Sequence, residues 1–243
     1  CDIVARVTPG THFAGHHMSA EREVELVRWL AQTGSPVAAL DARVGPRVFA
    51  RDGFQISMWA YFEPGESRML PPADYVRALE RLHSGLRQID FTPPHVLDRV
   101  AAVEHDVASR DITPDLADTD RAVLASTLRD LKKAIVNRRR PGQLLHGEPH
   151  PGNVLSTRNG PLFIDFENTA CGPVEYDLAW VPEAVSDRYR DADQNLVGEC
   201  RGLVLAMIAA YRWRRDDQHP SGRHSGVALL SLLRDGPPWP AVA

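Results

Sequence analysis

The sequence predicts an α+β fold in which a small β-rich lobe, residues 1–62, precedes a larger and mainly helical lobe, residues 63–243. Three observations carry this expectation. Up to about Ala60, short apolar runs alternate at period two around a single helical pattern. From Pro72 onward, apolar residues recur every three or four positions in long segments. Between them "EPGES" fits neither period, which puts a hinge near Trp59–Gly65.

The elements follow in order. "CDIVARVTPG" alternates, with Ile3, Ala5 and Val7 on one face and Val4 and Arg6 on the other, and reads as a core strand ended by Pro9-Gly10. "SAEREVELVRWLAQTG" is a helix with Ser19 as N-cap, acids in its first turn and Gly34 as its stop. Glu23 shares a face with Val27 and Leu30, and an acid on an apolar stripe requires a partner. Short strands are expected near Val37–Leu40, Arg47–Ala50 and Phe54–Ala60. Helices are expected over "ADYVRALERLHSGLR", "HVLDRVAAVEHDVASR" and "DTDRAVLASTLRDLKKAIVNRRR", and later over "EYDLAWVPEAV", "DADQNLVGECRGLVLAMIAAYRWRR" and "GVALLSLLRD".

The stretch between these helix groups, "LLHGEPHPGNVLSTRNGPLFIDFE", concentrates the polar chemistry. Gly147, Pro149, Pro151 and Gly152 exclude a helix, so "HGEPHPGN" is a rigid loop between apolar flanks. Asn159-Gly160 signals a hairpin. With those two residues as the turn, Leu155 faces Ile164 and Val154 faces Asp165, with a one-residue slip allowed because Pro161 cannot donate to the ladder. Either register sets the Asn153 amide near the Asp165 carboxylate, two hard oxygen ligands suited to Mg²⁺ holding a nucleotide's phosphates. The loop can bring Glu148 beside them. A base, an amide and a second carboxylate around one cation are the parts phosphoryl transfer needs.

Composition narrows the remaining classes. A net charge of −4 argues against a nucleic-acid surface. Cys1, Cys171 and Cys200 form no CxxC pair, and no apolar run approaches the roughly 18 residues that span a bilayer. A cytoplasmic protein is expected, with the oligomeric state left open. "HGEPH" has the histidine spacing of a zinc hydrolase motif but lacks its helix. "GTHFAGHH" lacks the Lys and hydroxyl of a phosphate-binding loop and reads as an ordinary connection, with His16-His17 solvated. His83 reads as a core or helix-face histidine. Glu183, Asp187, Asp191 and Asp193 read as a solvated face, and "NRRRPG" as an exposed helix end.

"HGEPHPGN", then "IDFE" and "GPVEYDLA", resemble the aminoglycoside phosphotransferase and choline kinase family, whose pattern is His-Gly-Asp, four residues, Asn, then a strand ending Asp-x-Glu or Asp-x-Asp. The resemblance implies a two-lobed protein-kinase-like fold and ATP-dependent phosphorylation, with Mg²⁺, of a hydroxyl on a small molecule. It makes Glu148 the catalytic base, Asn153 and Asp165 the metal ligands, His146 a loop-ordering residue, Asp177 a buried anchor and Glu167 a further contact to metal or substrate. It makes Arg6 and Glu23 the phosphate-side ion pair of the nucleotide lobe. "QISMWAYFEPG" becomes the hinge that receives adenine, through Met58, Trp59 and Tyr61. Two positions depart from the family's pattern: Glu148 stands where Asp is usual, and Arg6 where Lys is usual. The family's first two strands and phosphate-covering turn are expected to precede Cys1. Aminoglycosides, other antibiotics, amino alcohols and sugars all remain open as acceptors. The rival readings are a pseudokinase that binds nucleotide or a partner without turnover, and a metal-assisted hydrolase.

Overall fold

The structure, a computed structural model, describes residues 2–9, 18–65 and 70–241. Strand β1 (Ile3–Pro9) leads to helix α1 (Ala20–Gln32), then to β2 (Val48–Arg51) and β3 (Phe54–Ala60). These strands form one antiparallel sheet in the order β1-β3-β2, with Ala5 opposite Met58 and Arg6 opposite Ser57. Helix α1 starts where the sequence places it: Ser19 Oγ accepts from the Arg22 amide. The chain turns away at Gly34, whose φ of 72° suits a residue without a side chain.

β1 is not a core strand. It lies at the sheet edge, with Ile3, Val4 and Val7 exposed at 38%, 46% and 53%. Alternation marks a strand but cannot say how many neighbours it has. Val37–Leu40 forms no strand either; Val37 makes a single bridge to Phe163 and Leu40 one to Trp59. The "GTHFAGHH" connection, His16-His17 and Cys1 lie outside the described residues.

The remainder is mainly helical. α2 (Pro72–Leu86), α3 (Val96–Ala108) and α4 (Asp118–Arg138) appear as expected. β4 (Gln143–Leu145), the hairpin β5 (Val154–Thr157) and β6 (Gly160–Phe163), and β7 (Ala170–Gly172) follow. The predicted helix over "EYDLAWVPEAV" is two short ones, α5 (Val174–Leu178) and α6 (Glu183–Ser186). Pro182 separates them, because it lacks the N–H an uninterrupted helix would use. α7 (Gln194–Tyr211) and α8 (Gly222–Asp235) complete the chain.

Two apolar cores hold these elements. One joins α3, α4, α7 and α8 through Val100, Leu124, Leu128, Leu203 and Leu230. The other joins α1 and α2 to the hairpin through Leu26, Leu30, Leu79, Leu82 and Phe163. The second core fastens the β-rich part directly against the segment that carries the polar loop. Among the described residues no helix is long and apolar enough to cross a membrane.

Candidate active site

Two strand pairs frame the polar loops. β4 pairs antiparallel with β7, and β5 with β6. Residues 146–153 and 164–169 therefore leave and re-enter the sheets side by side. The hairpin register differs from the sequence expectation by two residues: Val154 faces Phe163 and Leu155 faces Leu162, so Arg158 and Asn159 form the turn. Thr157 stabilises this turn, its Oγ1 donating to the Gly160 carbonyl at 2.7 Å and accepting from the Asn159 amide at 3.2 Å. A two-residue shift keeps every side chain on its expected face. Asn153 and Asp165 still come together, because the Ile164 amide donates to the Asn153 carbonyl at 3.0 Å.

The loop carrying Glu148 is held by a buried carboxylate. Asp177 accepts from the amides of His146 at 3.0 Å and Gly147 at 2.8 Å, and pairs with His83 Nε2 at 2.9 Å. His83 is in turn fixed by Tyr189 Oη at 2.8 Å from Nδ1. Its core placement was legible in the sequence; its bond to the loop anchor was not. His146 is fully buried, with Nε2 donating to the Ile164 carbonyl at 3.0 Å and Nδ1 accepting from the Glu148 amide at 3.4 Å. Burial holds its pKa below the ordinary value. With both ring nitrogens engaged, His146 orders the loop and has no nitrogen left for a substrate proton. Pro151–Asn153 forms a 3₁₀ turn inside the rigid loop from which a helix was excluded, since a proline at a first helical position loses no bond, and Tyr75 Oη donates to the Pro149 carbonyl.

Gly147 has φ 95°, and a Cβ there would overlap the Asn168 carbonyl. Gly147→Ala is expected to cost about 2 kcal/mol or more and to displace Glu148. Thermal denaturation checks it; a melting temperature within a degree of the parent would contradict this loop geometry.

Glu148 lies on the wall of a cleft of about 710 Å³. Burial pushes its carboxyl up to about 7, more strongly than the Arg99 charge and the Asn168 side chain pull it down. Such a group takes up and releases protons near neutrality. One face of α3 lines the cleft through Arg99, Ala102, Val103 and Asp106, spaced i, i+3, i+4, i+7. Met207 and Tyr211 of α7, with Tyr176 and Trp180, form the apolar wall.

On the other side of the loop, Arg6 gathers three carboxylates. Nη1 binds both oxygens of Glu23 at 2.5 Å, and Nη2 binds Asp165 at 2.8 Å and Glu167 at 2.5 Å. The Arg6–Glu23 pair matches the sequence expectation; the links to Asp165 and Glu167 do not appear in it. Burial pushes Glu23 up to about 7 against the pull of Arg6 and of the Phe166 amide, which donates to it at 2.9 Å. Asp165 has φ 66° and ψ 67°, a left-handed conformation uncommon outside glycine and concentrated at functional sites.

One guanidinium against three carboxylates leaves negative charge to be balanced. The Asn153 amide nitrogen donates to the Glu148 carbonyl at 3.0 Å, which leaves its oxygen as the ligand atom. With Asp165 this makes a two-residue, hard-oxygen set. Among the described residues no three His, Cys, Asp or Glu side chains converge as a metal cage. The set fits Mg²⁺, which takes its remaining ligands from water and phosphate.

The hinge residues are placed differently from one another. Trp59 is buried in the second core, its indole N–H donating to Ser57 Oγ at 2.8 Å. Met58 is half-buried on β3, and Tyr61, just past the strand, is exposed. Trp59 is thus turned into the core, with little side-chain surface exposed. The sequence pointed to none of Arg99, Asn168, Tyr176, Trp180 or Tyr211 as lining the site.

The sequence model for the phosphotransferase enzyme family matches residues 3–217. The chain belongs to that family. It is accordingly a small-molecule phosphotransferase, as the resemblance implied. No curated protein matches the chain. Among solved structures it is similar to an amicoumacin kinase in complex with AMP-PNP, Ca²⁺ and Ami, with TM-score 0.67 and 13% identity over 99% of this chain and 84% of that one. It is similar to wild-type aminoglycoside 2′-phosphotransferase-IIIa in its GDP complex, with TM-score 0.66 and 17% identity over 89% and 82%. It also resembles a choline/ethanolamine kinase family protein from Mesorhizobium loti, with TM-score 0.65 and 12% identity over 96% and 82%. At these identities the likeness is one of fold, and it establishes the protein-kinase-like α+β architecture expected from the sequence.

Proposed function

We propose that the phosphotransferase moves the terminal phosphoryl group of Mg-ATP to a hydroxyl of a small molecule, with Glu148 as general base. The observation that carries this reading is the position of Glu148. A carboxyl with a pKa of about 7 lines a cleft large enough for an organic molecule, and its own loop adjoins the Arg6–Asp165–Glu167 cluster. Nucleotides in the similar solved structures, and a divalent cation in one of them, support the use of a nucleotide with a metal ion.

In this reading the lobes divide near residue 62, and the nucleotide lies between them beside β3, with Met58 and Tyr61 at the adenine and Trp59 behind. Arg6, positioned by Glu23, faces the phosphates. Asn153 and Asp165 hold Mg²⁺, which neutralises phosphate charge when bound. Glu167 adds a contact to the metal or the substrate. Glu148 takes the acceptor's hydroxyl proton as the acceptor oxygen bonds to the γ-phosphorus and the bond from phosphorus to the bridging oxygen breaks, releasing ADP. Asp177 and His146 keep Glu148 at that place. The protein works in a reducing cytoplasm; Cys171 and Cys200 are free thiols.

The test is incubation with Mg-ATP and a panel of hydroxyl compounds, followed by mass spectrometry. The expected product is a phosphorylated alcohol formed in step with ADP. Free phosphate with no phosphorylated alcohol would favour a hydrolase, and nucleotide binding without turnover a pseudokinase.

A further inference from the structure

The cleft beside Glu148 carries an inference that rests on the phosphotransferase reading and names its acceptor class. Apart from Glu148 itself, the acids in its lining are already paired. Arg214 holds Asp106 and, at 2.9 Å, Asp216; Arg212 holds Asp217 at 2.8 Å; Arg6 holds Glu167. These carboxylates already share their charge with a guanidinium, which weakens each of them as an anchor for a polycation.

Arg99 differs from them. It is 5% exposed, and its hydrogen bond is from Nη2 to the Thr169 carbonyl at 3.2 Å. Its Nε is buried with no partner, and no carboxylate of the described residues forms an ion pair with it. Trp180 Nε1, in the same lining, is likewise buried and unpartnered. Both unsatisfied side-chain atoms of the cleft lining are donors. The one cleft carboxylate whose charge Arg99 acts on, Glu148, makes no contact ion pair with it, so the guanidinium keeps donors for a second carboxylate, the group whose geometry matches its fork. Tyr176, Trp180, Met207 and Tyr211 supply an apolar surface next to it.

We infer that the acceptor is a hydroxy acid with an apolar body, its carboxylate paired with Arg99 and its hydroxyl directed to Glu148. Arg99 lines the same cleft as Glu148 and acts on its charge, so hydroxyl and carboxylate lie within a few bonds of one another. The phosphorylated product is then a phospho-acid.

The experiment gives the wild-type protein Mg-ATP and hydroxy acids, with their primary amides and the amino alcohols of matched carbon skeleton. Kanamycin and spectinomycin serve as a polycationic arm. The acceptor with the highest kcat/KM is expected to carry a carboxylate. Arg99→Gln should raise its KM roughly tenfold to a hundredfold, the loss of one charge-assisted pair, with the KM for ATP little changed. Arg99→Lys should recover part of the loss, and Trp180→Phe, which removes only the indole donor, should raise KM severalfold. Because Arg99 is buried, a readout on unaltered protein stands beside these: the deoxy analogue of the best hydroxy acid should compete with the acceptor and not with ATP. A preferred acceptor that is cationic, or a carboxylate preference that survives Arg99→Gln in folded protein, would overturn the inference while leaving the phosphotransferase reading intact. No phosphorylated product from any compound would count against that reading, and the inference would fall with it.

Discussion

Asp165→Ala is expected to abolish magnesium-dependent nucleotide binding, weakening it at least about a hundredfold. Direct ligation of a hard cation needs an anionic oxygen, and Asp165 supplies the carboxylate that the hairpin exit sets beside the Asn153 amide. Its left-handed backbone, φ 66°, shows that the local fold accepts an uncommon conformation to hold this side chain in place. The side chain is partly exposed and is one of three carboxylates on Arg6, so its removal leaves Glu23 and Glu167 in their ion pairs and the fold intact. Calorimetric titration of ATP with and without Mg²⁺ checks this, beside a circular dichroism spectrum of the variant. Asn153→Ala should weaken binding less, because a neutral amide contributes less than a charge. Parent-like magnesium dependence in folded Asp165→Ala protein would remove Asp165 from the metal site.

Glu148→Gln is the second large effect. Gln preserves size and hydrogen bonding but cannot accept a proton. Removal of a general base costs on the order of 10²–10⁴ in rate, and that loss should fall on transfer, with ATP affinity little changed. Glu148→Asp should be far milder. It installs the family's usual residue in a loop shaped around a longer one, so its carboxylate stands about 1 Å short. Steady-state kinetics on the best acceptor, with ATP affinity measured separately, distinguishes these outcomes. Undiminished transfer by Glu148→Gln would exclude Glu148 from base catalysis.

The loop proposed as catalytic was legible as a loop because local chemistry dictates it. Gly147, Pro149, Pro151 and Gly152 forbid an α-helix, though not the single 3₁₀ turn at Pro151–Asn153, and an apolar run on either side fixes the loop between strands. The hairpin was legible as a hairpin, but its turn was not. Asn159-Gly160 is a strong local signal, yet Thr157 closes the loop one step earlier with its hydroxyl, and Gly160 becomes the first residue of β6 at φ 108°. Val37–Leu40 shows the converse limit. Its apolar run is visible in the sequence, but pairing depends on Phe163 and Trp59, of which Phe163 is remote in sequence.

The same distance hides most of the site. Glu23 was marked as needing a partner because an acid sat on an apolar stripe. Arg6 meets Asp165 and Glu167 across 159 and 161 residues, and no periodicity encodes that meeting. Arg99 sits on a helix whose sequence reads as ordinary, since an arginine on a helix usually lays its stem along the surface and its head in water. Only packing α3 against α7 and the segment around Thr169 buries it. The loop proposed to carry the chemistry is local in sequence, and the cleft beside it is assembled from distant helices.

The pH dependence of transfer tests the central claim most directly. Glu148 works as a base only when ionised, and burial raises its pKa to about 7 from the ordinary carboxylate range. The active fraction therefore grows as pH rises. On the best acceptor, kcat/KM should climb through a midpoint near 7 and level off above it. The residual activity of Glu148→Gln should lack this acidic limb. A profile already flat from pH 5.5 upward, or the same limb in Glu148→Gln as in the parent, would contradict the account.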